Sequence, residues 1–121
     1  MLKIGLLSGS IFALLSIVFG AFGAHALKDH LSQYSTSVYE KAVLYQMFHA
    51  FGILLVTTLG SQIDSVDFSS SIYCFIAGII LFSGSLYILA ITDMKWLGMI
   101  TPIGGMLFIV GWFLVLLKSI N

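Results

Sequence analysis

The side chains able to do chemistry in this chain are few, and they fall at repeating positions. Tyr39, Ala42, Gln46, His49, Ile53 and Thr57 follow one another at steps of three or four, which puts Gln46 and His49 on one helix face inside a run without charge. A polar group there costs free energy unless it is paired or wetted. Histidine titrates near neutral pH, so the pattern fits a proton- or ligand-binding position. It also fits an interhelical hydrogen bond to Ser83, Ser85 or Tyr87 of "FSGSLY", worth about 0.6 kcal/mol in a membrane. His25, in "GAFGAHALK", follows the first apolar run. It would mark the mouth of a polar track whose floor is His49. The candidate ligand-binding set is therefore His25, Gln46, His49, Ser83, Ser85 and Tyr87.

Other chemistries find less support. No nucleophile or carboxylate pair stands beside the histidines, which makes a membrane enzyme using His25 or His49 as acid or base the weakest reading. Glu40 lies three residues after Ser37 in "STSVYEKA", the spacing of a capping box that would start the second helix near Val38. A metal would need His25, His30, His49 or Glu40 to converge, and none forms the i, i+4 histidine pair of a helical zinc site. No metal or cofactor is expected. The sequence holds no G-x-S-x-G elbow, phosphate loop or nucleotide fingerprint, and "IGG" reads as packing. Cys74 is the single cysteine and cannot form an intramolecular disulfide.

The elements that must carry these residues are set by composition. Hydrophobic residues make up 60% of the 121 and charged residues 8%, with a mean hydropathy of +1.10, which excludes an ordinary soluble domain. The charges cluster and leave residues 4–24, 42–63, 68–92 and 96–117 free of them. A hydrocarbon core of roughly 30 Å needs about 20 helical residues, so each run can cross once. Runs apolar all round disfavour the alternating strands of a barrel. An all-α, four-helix transmembrane bundle is expected, as one integral-membrane domain over 1–121 with helices at about 4–24, 38–60, 68–92 and 97–118. The first run exceeds the roughly 7–15 apolar residues of a signal peptide and reads as a retained helix. A net charge of zero with five lysines argues against nucleic acid as a partner.

Several joints are legible too. "ALKDHLSQY" sets Leu27, Leu31 and Tyr34 at helical spacing, as in a short amphipathic segment lying in the interface between helices one and two. Asp64 and Asp67 are natural caps for helix three. Thr101 before Pro102 resembles an N-cap followed by proline at the first helical position, with "KWLGMI" as a separate lead-in; the alternative is one helix from Trp96 kinked at Pro102. Gly5, Gly9, Ala13, Ser16, Gly20 and Ala24 form a small-residue stripe on span one, with Ala77, Gly78, Gly84 and Ser85 on span three and Gly104, Gly105 and Gly111 on span four. Such stripes let helix backbones approach closely, and Gly20 and Gly84 are expected to be such points. With four spans Lys3 and Lys118 share a side against Lys28, Lys41 and Lys95, so the positive-inside rule places the termini outside by one lysine.

The series "GAFGAHALK", "YEKAVLYQMFHAFGILL", "FSGSLYILA" and "ITPIGG…GW" resembles the YgdD/YwdK-like family of small bacterial inner-membrane proteins, over Gly20 to Trp112. The resemblance implies a four-helix protein of the cytoplasmic (inner) membrane, multi-pass, and carries no activity, substrate or catalytic residue. Three functions stay open. One is a membrane-embedded binding or transport unit for a small solute, ion or lipid, acting as a homo-oligomer. Another is an accessory scaffold that packs against membrane lipids or partner proteins, and the third is a membrane enzyme.

Overall fold

The structure is a computed structural model that describes Met1–Asn121, apart from the side chain of Ala24. Four helices follow in order: α1 (Leu2–Leu27), α2 (Gln33–Gln62), α3 (Ser69–Thr92) and α4 (Thr101–Ile120). All four spans, with Lys95–Ile120 counted as the last, are long and apolar enough to cross a membrane. Such helices satisfy their own backbone, which a bilayer core demands. α1 packs along α2, α2 against α3, and α3 against α4. The Lys118 ammonium donates to the Asp67 carbonyl, which ties the C-terminal end to the α2–α3 loop. Met1, Leu2, Gly60 and Asp67 also border one small opening there. The α1–α2 connection and Lys95–Met99 lie at the other end, called the lysine end below because it carries Lys28, Lys41 and Lys95.

The joints differ from the sequence expectation in several places. α2 starts at Gln33, not near Val38, because the Ser32 hydroxyl accepts from the Ser35 amide at 3.0 Å and caps the helix. Ser37 and Glu40 therefore lie within the helix and form no capping box. Consequently the link from α1 is a tight turn. His30 and Leu31 amides both bond the Leu27 carbonyl, and Leu27 and Leu31 pack on the core while Tyr34 stays exposed. The expected amphipathic segment is therefore not an element of its own: Leu27 ends α1 and Tyr34 lies in the first turn of α2. The other joints match in part: the N-cap of α3 is Phe68, not Asp64 or Asp67, and no side chain caps it from that position. Asp67 Oδ1 accepts from the Ser69 amide at 2.9 Å and from its hydroxyl at the start of α3. Lys95–Met99 is a separate 3₁₀ turn, and Pro102 sits in the first turn of α4. Thr101 does not cap; its hydroxyl turns to Ser85.

Close approach is real at most of the glycines. A Cβ on Gly5 would strike the Thr57 side chain, one on Gly20 would lie 3.1 Å from Val43, and one on Gly23 would strike the Tyr39 hydroxyl. Between α3 and α4, a Cβ on Gly104 would run into the backbone of Phe82, and one on Gly111 would come within 2.5 Å of Phe75. Gly84, like Gly98, is an exception. Nothing lies within 4 Å of its would-be Cβ, so it is not a point of helix contact.

α3 contains one wide π turn, Ile79–Ser83, in which the Gly84 amide reaches back to the Ile79 carbonyl. One extra residue in a turn rotates everything after it by about 100°. The first half of α3 accordingly packs with α2 and α4 through Ile72, Phe75 and Ile79, together with Ile53 and Phe108. Its second half packs on the lysine-end part of α2 through Leu86, Leu89 and Ala90 with Val38, Tyr39 and Ala42.

Candidate functional site

The polar residues of α2 sit in two different interfaces. Gln46, 2% exposed, donates through Nε2 to the Phe12 carbonyl of α1 at 2.9 Å and accepts at Oε1 from the Tyr87 hydroxyl of α3 at 2.6 Å. Two turns toward the lysine end, the Tyr39 hydroxyl donates to the Phe19 carbonyl of α1 at 2.5 Å. The rings of Phe19 and Tyr39 each meet Tyr87 edge-on, at 5.1 and 5.2 Å. These bonds fasten α1 to the α2–α3 pair with groups that lipid could not satisfy.

His49 turns the other way. Three residues span 300° of helix, so it stands about 60° around α2 from Gln46, enough to face α4 instead. Its Nδ1 lies 2.8 Å from the Tyr45 carbonyl, and its Nε2 accepts from the Trp112 indole N–H at 3.0 Å. A carbonyl only accepts and an indole N–H only donates, so the proton is on Nδ1 and the ring is neutral. The ring lies flat on Phe108, centroids 3.6 Å apart, and is 3% exposed.

The serines are spent on helix joints. Ser83 donates to the Ala42 carbonyl at 2.8 Å in a fully buried contact, and Ser85 pairs with the Thr101 hydroxyl at 2.6 Å. His25 stands exposed in the last turn of α1, where a cation would suit the helix dipole. The structure thus brings Gln46 and Tyr87 into one bond, places Ser83, Ser85 and His49 in separate contacts, and leaves His25 apart. No continuous polar track joins His25 to His49. Among the described residues no three His, Cys, Asp or Glu side chains gather as a metal site would require.

The opening the sequence did not announce lies beside His49. A lateral groove of about 860 Å³ runs between α2 and α4, walled by Leu44, Tyr45 and Phe48 on one side and Pro102, Met106 and Ile109 on the other. Phe82, presented by the π turn, and Gly105 form its back, and His49 with Trp112 closes its deep end. The ten residues from Pro102 to Trp112 give it a length of about 15 Å. Trp112 and Tyr45 were visible as aromatic residues, but a groove between helices that are not sequential neighbours has no periodic signal.

Comparison with known proteins places the chain in a family. Residues 19–105 match the family described as "Protein of unknown function (DUF423)". The chain belongs to the DUF423 family. A UPF0382 membrane protein of Staphylococcus aureus is 43% identical over 118 residues, covering 98% of this chain and 96% of that protein. The UPF0382 membrane protein YwdK of Bacillus subtilis is 38% identical over 121 residues, covering 99% and 98%. The YwdK resemblance read from the sequence is thereby established, and with it a membrane protein. No solved structure matches the DUF423 chain.

Proposed function

We propose that this DUF423 protein is a lipid-binding unit of the cytoplasmic membrane, which holds one acyl chain in the α2–α4 groove. One observation carries the reading: Gln46, His49, Ser83, Ser85 and Tyr87 are closed on one another, on neighbouring side chains and on helix carbonyls, while the roomy opening is apolar and faces sideways. A pathway for a solute or ion would need polar groups lining a hydrated space. The groove offers instead what an apolar chain can fill. Its length of about 15 Å is half of the roughly 30 Å hydrocarbon core, the depth of one leaflet.

The test uses Trp112 as reporter. Trp96 and Trp112 are the two tryptophans, so Trp96→Phe leaves the groove's own. In vesicles of lipids brominated along the acyl chain, Trp112 fluorescence should be quenched. Gly105→Leu should relieve the quenching, since its Cβ clears Phe82 at 3.8 Å and the rest of the side chain fills the groove. Gly84→Leu, on an open face outside the groove, should not. Equal quenching in all three proteins sinks the proposal, as does a dimer, detected by crosslinking in the same vesicles, whose second copy occupies the groove.

A further inference from the structure

The groove has a charged lip. Leu44, Tyr45, Phe48 and His49 are its α2 wall, and they follow Lys41 at i+3, i+4, i+7 and i+8, so Lys41 lies on the same face one turn nearer the lysine end. Lys41 is exposed. The levels match as well. His49 and Trp112 are hydrogen-bonded and so share a depth. From there Lys41 is eight residues up α2, about 12 Å, and Pro102 ten residues up α4, about 15 Å. The ammonium therefore belongs to the open end of the groove, with a stem long enough to reach the headgroup layer. Its sequence neighbour Glu40 does not cancel it, because Glu40 borders a different opening, with Gly23, Lys28 and Tyr39 on the α1 side.

We infer that the groove selects an anionic glycerophospholipid, its phosphate held at Lys41 and one acyl chain lying between α2 and α4 down to the His49–Trp112 pair. The inference rests on the lipid-binding reading above and adds the headgroup. Charge selects here because the chain cannot: an acyl chain is as well solvated by other lipids as by Leu44 or Ile109, whereas a lysine at the surface attracts anionic lipid with about 1 kcal/mol.

The experiment compares two brominated lipids, phosphatidylglycerol and phosphatidylcholine, by quenching of Trp112 in the Trp96→Phe protein at low salt. The expected result is about a fivefold preference for phosphatidylglycerol, the equivalent of that 1 kcal/mol. Lys41→Gln should bring the ratio near one while both lipids still quench, and Lys41→Arg should keep it. Lys95→Gln, at the same membrane end but on the turn before α4, should leave the ratio unchanged. No preference in the parent protein, or a preference that survives Lys41→Gln, overturns the headgroup assignment and leaves the groove as a lipid site, provided Gly105→Leu still relieves quenching. If Gly105→Leu changes nothing with either lipid, the lipid reading itself fails.

Discussion

Gly104 and Gly84 are both helical glycines, in "ITPIGG" and "FSGSLYILA", and alanine at the two positions separates close packing from helix propensity. In either helix the change removes glycine's propensity penalty of about 1 kcal/mol. At Gly84 nothing opposes that gain, since the space around the new methyl is open to 4 Å. At Gly104 the methyl would stand 2.7 Å from Phe82 Cβ and 2.8 Å from Phe82 Cα, and nearer still to its amide nitrogen. Backbone cannot swing aside as a flexible side chain would, so α4 must lift off the π turn. Overpacking of this kind costs about 1–3 kcal/mol, which leaves Gly104→Ala about 0–2 kcal/mol less stable than the parent and Gly84→Ala as much as about 1 kcal/mol more stable. Reversible unfolding in mixed micelles, followed by circular dichroism, reads the difference. Equal shifts in the two variants would refute the contact between Gly104 and the wide turn of α3.

Gln46→Leu should cost about 1–3 kcal/mol, since it strands the half-buried Tyr87 hydroxyl. Adding Tyr87→Phe should recover part of that, with a coupling of about 0.6–1.7 kcal/mol in a double-mutant cycle; additive effects would place the two side chains in separate contacts. Trp112→Phe should remove the donor to His49 Nε2 at a cost of about 1 kcal/mol and move the imidazole nitrogen resonance, which nitrogen NMR detects. Asp67 should titrate below the ordinary aspartate range, because the Ser69 hydroxyl first, and the Ser69 amide next, stabilise its carboxylate. A depressed carboxylate supports the fold at and above its unfolded pKa of about 3.9 and loses that support as pH falls through its lower native value. Carbonyl NMR of Asp67 should follow this course in the parent and a less depressed one in Ser69→Ala, which keeps the backbone amide and loses the hydroxyl.

The spans and most joints can be read from the chain because each is a local matter. A charge-free run, a proline in a first turn or an aspartate two residues before a serine acts within its own helix. Ser32 was missed as the cap of α2 because Ser37 and Glu40 offer the better-known spacing; only the turn at Leu27 decides between them. The Gln46–Tyr87 bond was among the expected pairings, since a buried amide in an apolar run needs a partner. Which neighbour each polar residue meets is not local. Gln46 and His49 share a stripe in the sequence, yet α2 lies between α1 on one side and α3 and α4 on the other, so 60° of rotation sends them to different helices. The π turn hides for a related reason. Ile72, Phe75, Ile79, Ser83, Leu86 and Ala90 keep an unbroken helical spacing, and the extra residue shows only in the change of neighbours halfway along α3.

Because the α2–α4 groove opens sideways, any occupant would exchange against bilayer and not against water. Occupancy then depends on the mole fraction of a species in one leaflet, and total concentration in the sample is irrelevant. Apolar surface is in a hydrocarbon solvent before and after exchange, so the expulsion of water that drives most association drops out of the balance. Discrimination is left to shape along the groove walls and to charge at the rim, and supply to two-dimensional diffusion within the leaflet.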